Sequence, residues 1–239
     1  MNRRYRAALC DLDGTLIDTA VDITNAANRM LEALGRPPVS TADIGRYIGK
    51  GIPILVHRVL TGSLDGRAES PLYERALALF EEYYAEESGR SAVVYPKVTE
   101  GLRKLREADI RLACVTNKAG RYTGDLLKQA GLAEFFDVVV SGDTLPYKKP
   151  DPRPMLYACE RLGVAPAEAV VIGDSMNDVE AGKRAGMYVL AVPYGYNEGK
   201  PVETLGADRI VADLAEAAAF VYFFSSRRRH TRFKCDWSS

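Results

Sequence analysis

Two acidic residues follow directly on a short apolar segment near the N-terminus. The sequence there is Ala-Ala-Leu-Cys-Asp-Leu-Asp-Gly-Thr, so Asp11 and Asp13 stand at the end of a predicted buried strand. A charge beside a low-dielectric interior is costly unless it is paired or bound to a metal. Side chains two positions apart in an extended chain face the same way, so both carboxylates can approach one bound group. The pair is either held there for chemistry or consists of two outward-facing turn formers.

A second acidic pair follows another apolar segment in the sequence Gly-Asp-Ser-Met-Asn-Asp. Asp174 ends the predicted strand, and Asp178 lies four residues later at the start of a predicted helix. Alone, this pattern could be a cluster of helix N-cap residues. Beside Asp11 and Asp13, it would place four repelling carboxylates at one site, which requires a cation. Hard oxygen ligands suit Mg²⁺, which prefers few carboxylates, several waters and a phosphate.

Further polar residues follow two other apolar segments. Thr116 ends the segment 110–116, Asn117 follows it directly, and Lys149 lies in the sequence Lys-Lys-Pro-Asp-Pro. The Thr116 hydroxyl and the adjacent amides suit a phosphoryl oxygen, and Lys149 could balance the charge of the carboxylates. The alternative for Lys149 is an ordinary surface lysine.

The elements that must position these residues are short apolar segments that alternate with helix-period segments. Because each strand segment is apolar throughout, we expect parallel strands covered on both faces. The fold class is therefore α/β, with a doubly wound parallel sheet, and ligands bind such sheets beyond the carboxyl ends of the strands. The predicted strands are 7–11, 110–116, 137–142, 169–174 and 188–193, and the predicted helices are 121–130, 152–163 and 177–186.

The long gap after the first strand indicates an inserted helical subdomain, because a single crossover needs only one helix. We predict its helices at 18–34, 40–48, 52–62 and 71–88, the first beginning with a capping box formed by Thr19 and Asp22. The expected domains are a core of 1–16 and 92–224, a helical cap of 17–91 and a disordered or artefactual basic tail of 225–239.

Composition and charge narrow the function classes. The 239 residues are 47% hydrophobic and 27% charged, as in ordinary globular proteins, and no apolar run approaches the roughly 18 residues of a membrane span. No secretory signal pattern follows the basic N-terminus, so we expect a cytoplasmic protein without a membrane partner. The last 13 residues hold five Lys and Arg, which leaves about −4 on residues 1–226 and argues against a nucleic-acid partner. The four cysteines show neither disulfide nor zinc spacing.

The ordered motifs Asp-Leu-Asp-Gly-Thr, Val-Thr-Asn, Lys-Lys-Pro and Gly-Asp-Ser-Met-Asn-Asp resemble those of the haloacid dehalogenase superfamily. The resemblance covers residues 7–224 and extends to a small helical cap after the first motif. It implies that Asp11 is a nucleophile that forms an aspartyl phosphate and that Asp13 is the general acid and base. Thr116 and Lys149 would hold the phosphoryl oxygens.

The same resemblance implies a Mg²⁺ site and a supporting residue. The metal would bind the Asp11 carboxylate, the Asp13 backbone carbonyl and Asp174, with Asp178 oriented through water or in an outer shell. Asn117 would support the loop and contribute to the substrate site. These roles are expectations from the matched motifs.

The substrate expected from the resemblance is a small phosphate ester. Asp13 argues against dehalogenation, which has no leaving alkoxide to protonate. Several segments, chiefly Gly-Tyr-Asn at 195–197, resemble phosphoglycolate phosphatases more than sugar phosphomutases or pyrophosphatases. The alternatives are a phosphatase for another sugar phosphate, nucleotide or pyrophosphate, a phosphomutase, and a non-catalytic binding module.

The predicted cap contains a glycine-flanked cation, Gly49-Lys50-Gly51, where relatives commonly have Gly-Asn-Gly. We expect Lys50, or the amides around Gly51, to reach the carboxylate of 2-phosphoglycolate when the cap closes. The alternative is an exposed loop lysine. The sequence is compatible with a monomer or a homodimer.

Overall fold

A six-stranded parallel sheet forms the centre of the molecule. The computed structural model describes residues 5–226 and orders the strands β5-β4-β1-β6-β7-β8. Numbered in chain order, the sheet strands are β1 (Ala7–Cys10), β4 (Arg111–Val115), β5 (Val138–Val140), β6 (Ala169–Gly173), β7 (Tyr188–Ala191) and β8 (Arg209–Ile210). The five predicted strands are confirmed, and the two-residue β8 is an addition.

Helices cover both faces of the sheet, as the predicted fold class requires. They are α5 (Val98–Glu107), α6 (Gly120–Gln129), α7 (Arg153–Leu162), α8 (Met176–Arg184) and α9 (Leu214–Ser226). Side chains of α5, α6 and α9 pack with Ala8 and Cys10 on one face, whereas α7 and α8 pack with Ala7 and Leu9 on the other. This alternation along β1 is the period of two of a strand buried on both sides.

β1 is the central strand and positions the polar residues that follow it. Cys10 lies opposite Cys114 of β4 and opposite Ile172 of β6. The next residues of these three strands therefore emerge side by side at the carboxyl edge of the sheet. The thiols of Cys10, Cys114 and Cys159 are buried and free, in agreement with the absence of disulfide spacing in the sequence.

Four helices are inserted between two very short strands, β2 (Ile17–Asp18) and β3 (Val93–Val94). The helices are α1 (Ala20–Ala33), α2 (Thr41–Tyr47), α3 (Ile52–Thr61) and α4 (Leu72–Glu87), close to the predicted segments. They enclose an apolar cluster of their own around Met30, Val56 and Phe80. β2 and β3 pair antiparallel, so the two connections of the helical insert are hydrogen-bonded to each other.

The predicted capping box of α1 is wrong. Thr19 Oγ1 donates to Asp13 Oδ1 at 2.8 Å, and Asp22 accepts from the backbone amides of Gly89 and Ser91, each at 2.7 Å. Both side chains are bonded to residues outside their own helix, so neither caps its first turn.

The C-terminal helix α9 ends at Ser226, two residues beyond the predicted core boundary. Ser225 Oγ donates to the carbonyl of Tyr5 at 2.9 Å and so joins the helix to the start of the chain. The rest of the predicted tail, 227–239, lies outside the described residues, as does Cys235. Within residues 5–226, no helix combines the length and the apolar character needed to span a bilayer.

Candidate active site

Three carboxylates meet at the carboxyl edge of the sheet. Asp11 follows β1, Asp174 follows β6, and Asp178 lies in the first turn of α8. Each offers one oxygen, and these oxygens all lie within 4.8 Å of one another. The parallel pairing of β1 with β6 places the first two side by side, so the juxtaposition is a consequence of strand order.

Asp174 is held in place from both sides. Its Oδ1 accepts from Thr15 Oγ1 and its Oδ2 accepts from the amide of Tyr196, each at 2.6 Å. Its side chain is almost fully buried. Burial raises the pKa of Asp174 well above its usual range, and the neighbouring charges of Asp11 and Asp178 raise it further.

Lys149 supplies the positive charge of this cluster. Its ammonium lies 2.7 Å from Asp11 Oδ1 and 2.7 Å from Asp178 Oδ1, and it donates to the carbonyl of Val115 at 2.6 Å. Burial alone would lower the pKa of Lys149, but the two carboxylates outweigh burial and hold the pKa above its usual range. Lys149 is therefore a fixed cation and not a surface lysine.

Asp178 combines the two roles considered for it. Its Oδ2 accepts from the backbone amide of Ser175 at 3.1 Å and from the Ser175 hydroxyl at 2.7 Å, which closes a capping box at the start of α8. Its Oδ1 faces Lys149 in the carboxylate cluster. With both oxygens bonded to protein, Asp178 is suited to orient its neighbours.

The cluster carries more negative than positive charge. Burial raises the pKa of Asp11 to about 7, and repulsion from Asp178 adds to this effect, although Lys149 opposes it. Three carboxylates, of which Asp174 and Asp178 are buried and Asp11 is partly buried, form a set of hard oxygen donors beside one ammonium, which fits a small divalent cation such as Mg²⁺. Such an ion would remove the cost of holding Asp11 and Asp174 ionised.

The Asp13 side chain lies outside the three-carboxylate cluster. Its Oδ1 accepts from Thr19 Oγ1 at 2.8 Å and from the ammonium of Lys118 at 3.1 Å, and Lys118 also donates to the hydroxyl of Tyr84 on α4. Any contact of Asp13 with a metal would thus use its backbone carbonyl. Lys118 was not predicted; its position directly after Val-Thr-Asn was the available signal.

Thr116 and Asn117 follow β4 and have different surroundings. Thr116 Oγ1 accepts from the amide of Lys118 at 3.2 Å and faces the pocket. The Asn117 amide group donates to the carbonyls of Gly49 and Lys149 at 2.9 Å each, and its oxygen accepts from the Lys149 amide at 2.9 Å. Because its side chain is bonded to protein, Asn117 joins the loop of Lys149 to the insert.

A pocket of about 220 Å³ opens above this cluster, between the sheet edge and the helical insert. This volume lies below the roughly 300–1,000 Å³ typical of drug-sized ligands, so it favours a small molecule. The core contributes mainly polar residues to the wall and the insert mainly apolar ones. The lining includes Asp11, Asp13, Thr116, Asn117, Lys118, Arg121 and Lys148 from the core, and Ile48, Gly49, Gly51, Ile52, Leu55, Phe80 and Tyr84 from the insert.

The structure brings together the predicted site residues with one exception. Gly51 lines the pocket, but the expected approach of Lys50 is not observed. The Lys50 ammonium lies 3.2 Å from Glu198 Oε1 and is not part of the pocket wall. The physical reason is that Glu198, on the loop after β7, offers a carboxylate on the outer side of the insert.

Tyr196 and Thr15 were also missed, although both hold predicted site residues. The Tyr196 amide bonds Asp174, while its hydroxyl accepts from the amides of Thr19 and Ala20 at 2.9 and 3.0 Å. The segment Gly-Tyr-Asn was singled out only for its resemblance. Its contacts become visible only when the loop after β7 is placed beside β1.

The comparisons with known proteins agree with this geometry. A family model described as haloacid dehalogenase-like hydrolase matches residues 5–186. The chain is 50% identical to a phosphoglycolate phosphatase of Nitrosospira multiformis over 90% of this chain and 95% of the relative. It is 47% identical to the protein of the same name from Thiobacillus denitrificans, with the same two coverages.

Among solved structures, the chain is similar to one described as a predicted phosphoglycolate phosphatase from Haemophilus somnus. The TM-score is 0.85 at 29% sequence identity, over 90% of this chain and 97% of that chain. The family match spans most of the chain and includes every motif of the site. This chain is a member of the haloacid dehalogenase-like hydrolases.

Proposed function

We propose that the protein is a phosphatase that hydrolyses small phosphomonoesters, with 2-phosphoglycolate as its substrate. The observation that carries the proposal is the Asp11 carboxylate, which lies 2.7 Å from the Lys149 ammonium at the floor of a small pocket that also exposes Asp13. Phosphoryl transfer needs a nucleophile, a proton donor and a fixed cation. Asp11, Asp13 and Lys149 can supply these three groups at the carboxyl edge of the sheet.

In the first step, a carboxylate oxygen of Asp11 attacks phosphorus and the bond from phosphorus to the ester oxygen breaks. Asp13 gives its proton to the departing alkoxide, which leaves as the alcohol. In the second step, Asp13 takes a proton from water, whose oxygen attacks phosphorus and releases inorganic phosphate and free Asp11. Lys149 and the Thr116 hydroxyl would hold the transferring oxygens throughout.

A Mg²⁺ ion would be held by the carboxylates of Asp11 and Asp174 and the backbone carbonyl of Asp13, with Asp178 orienting the group. The ion would supply positive charge against the phosphoryl oxygens and so reduce their repulsion of the nucleophile. The hard, buried oxygen donors of the cluster support this assignment.

The helical insert, residues 17–91, would act as a cap. Residues 1–16 and 92–224 would form the core domain. The support is the pocket wall, to which both parts contribute, and the paired connections β2 and β3. A cap over the pocket would exclude bulk water while the aspartyl phosphate forms.

The choice of 2-phosphoglycolate has two supports. The pocket is small, and relatives 47–50% identical over most of the chain are named phosphoglycolate phosphatases. The cytoplasmic location, the monomeric or homodimeric state and the lack of nucleic-acid or membrane partners remain predictions from the sequence.

The test is phosphate release from a panel of small phosphomonoesters, with and without Mg²⁺, by the wild type and Asp11→Asn. We expect Mg²⁺-dependent release with a preference for 2-phosphoglycolate, and none from Asp11→Asn. Preference for another ester would retain the phosphatase and discard the substrate. Transfer of phosphate to a sugar, without release, would instead favour a phosphomutase.

A further inference from the structure

We propose that Lys148 binds the carboxylate of the substrate and thereby selects an anionic phosphate ester over a neutral one. This inference rests on the proposed function, because it assumes that the pocket accepts a phosphate ester with a second anionic group. It replaces the expectation that Lys50 does so.

The cationic side chains of the pocket wall differ in whether they have an ion-pair partner within the protein. Three cationic side chains line the pocket: Lys118, Arg121 and Lys148. The Lys118 ammonium is paired with Asp13 at 3.1 Å, and Arg121 is paired with Glu81 at 2.7 Å. Within residues 5–226, no acidic or hydrogen-bonding partner is found for the Lys148 ammonium. Lys148 is thus the pocket cation whose charge is available to a ligand.

The Lys148 ammonium lies where the insert meets the core. A Cβ placed on Gly51 would stand 3.2 Å from Lys148 Nζ and 3.5 Å from the carbonyl oxygen of Asn117. The ammonium is therefore beside the turn of the insert that covers the pocket, above the sheet edge. Asp11, Gly51 and Lys148 line the same pocket, so a ligand that extends from Asp11 toward the turn at Gly51 would approach the Lys148 ammonium.

Two consecutive lysines, Lys148 and Lys149, can contact the carboxylate end and the phosphoryl end of the ligand, respectively. The Lys149 ammonium is buried against Asp11, at the end where the phosphoryl group would be. Lys148 precedes it and lines the open part of the pocket. The two lysines begin a turn in which the Asp151 amide donates to the Lys148 carbonyl at 2.9 Å. Because the Lys149 ammonium faces Asp11 and the Lys148 ammonium lies near Gly51, the pair can offer one ammonium to the phosphate and one to the carboxylate.

The apolar part of the pocket favours a charged partner for a bound carboxylate. The insert contributes Ile48, Ile52, Leu55 and Phe80 to the wall. A carboxylate among apolar side chains is costly unless a charged or hydrogen-bonding partner accompanies it. Lys50 cannot fill this role here, because it already pairs with Glu198 outside the pocket.

The experiment compares kcat/KM for 2-phosphoglycolate with that for 2-hydroxyethyl phosphate, which has a neutral hydroxyl in place of the carboxylate. Hydrogen bonds to charged groups are worth a factor of roughly ten or more in binding. We expect Lys148→Met to lower kcat/KM for 2-phosphoglycolate about tenfold, chiefly through KM, with little change for the neutral ester. Lys148→Arg should recover most of the loss.

Two further lysine variants serve as controls for Lys148→Met. Lys128→Met removes a solvent-exposed lysine of α6 that pairs with Asp125 at 3.6 Å, and it should leave kcat/KM unchanged for both substrates. Lys50→Met tests the rival cation and should also leave the preference intact. Equal losses on both substrates in Lys148→Met, or a lost preference in Lys50→Met alone, would overturn the inference.

Failure of the proposed substrate can be distinguished from failure of the proposed role of Lys148. If the wild type shows no preference for 2-phosphoglycolate over the neutral ester, the proposed substrate fails, and the role of Lys148 fails with it. If the wild type has the preference and Lys148→Met keeps it, only the role of Lys148 is wrong. Activity of each variant on the neutral ester reports that the protein is folded.

Discussion

Gly14 allows the two acidic segments of the site to approach each other. Its φ is +89°, in the region that side chains disfavour, and a Cβ there would lie 2.4 Å from Asp174 Oδ2. Gly14 follows Asp13 directly, so the close approach of the first motif to Asp174 depends on the missing side chain.

We predict that Gly14→Ala lowers the rate of phosphate release at least about tenfold and destabilises the fold by about 1–3 kcal/mol. The added methyl must displace the Asp174 carboxylate or shift the turn. Gly35→Ala is the matched control, because Gly35 also has a positive φ, +67°, but open space around it. It should cost about 1 kcal/mol and leave the rate unchanged. Urea unfolding and steady-state rates measure both effects, and equal rates in the two variants would contradict the prediction.

Among the site residues, those at strand ends could be predicted from the sequence. The residues that form hydrogen bonds or ion pairs with them were not predicted. Asp11, Thr116 and Asp174 could be placed, because parallel strands end at one edge. The contacts of Lys118 and Tyr196 were not predicted, because their partners Asp13 and Asp174 lie 105 and 22 residues away along the chain. Tertiary contacts of this kind have no local pattern.

Among the elements, the loop after β7 connects the site to the helical insert. Tyr196 contacts Asp174 and the start of α1, as described above. Glu198 lies two residues later and accepts from the buried guanidinium of Arg58 on α3 at 2.7 Å. Lys50 and Lys200 also face the Glu198 carboxylate, at 3.2 and 3.4 Å.

Because of the ion pair between Glu198 and Arg58, we expect the free energy of unfolding to depend on pH. Burial alone would raise the pKa of Glu198, but the hydrogen bond from Arg58 and the charge of Lys50 outweigh burial and hold the pKa below its usual range. A depressed pKa stabilises the fold above the pKa of the unfolded chain, and this stability is lost as the pH falls through the folded pKa.

Glu198→Gln should therefore destabilise the protein by about 1–2 kcal/mol at pH 7, because it leaves the Arg58 charge buried without its partner. The difference from the wild type should begin to shrink as the pH falls below the pKa of the unfolded chain, about 4.3, and should continue to shrink through the lower folded pKa. Denaturant unfolding at pH 7 and pH 3.5 measures it. A difference that is independent of pH would show that the carboxylate charge is not the cause.

The elements themselves were predictable where an apolar run was long and uninterrupted. β8 and the β2–β3 pair have only two residues per strand, too few for a periodic pattern. α5 was missed for a different reason: it contains Gly101, where a Cβ would lie 2.4 Å from the carbonyl oxygen of Leu214. The glycine that lets α9 approach closely also weakens the helix signal in the sequence.

For the whole molecule, the carboxylate cluster links metal binding to stability. A ligand that binds only the folded state stabilises it by about 2.7 kcal/mol at a concentration of 100 times Kd. Mg²⁺ should therefore raise the thermal unfolding midpoint by about 5 °C or more. Asp174→Asn should remove most of this shift, and Asp125→Asn, at an exposed position of α6, should retain it.

Differential scanning calorimetry at constant ionic strength makes this measurement without substrate. Sodium chloride at matched ionic strength separates specific binding from charge screening. An equal shift in the wild type and Asp174→Asn would mean that Mg²⁺ acts at another site.

The central position of β1 has a consequence for how the protein is made. β1 is complete at Cys10, but its neighbours are β4, Arg111–Val115, and β6, Ala169–Gly173. At about 5–20 residues per second, a ribosome needs roughly 5–20 s to reach the first neighbour. The helical insert emerges during that interval and can begin to pack. The strand that carries the proposed nucleophile is therefore synthesised well before either neighbour and lacks one of them until β6 is complete at Gly173.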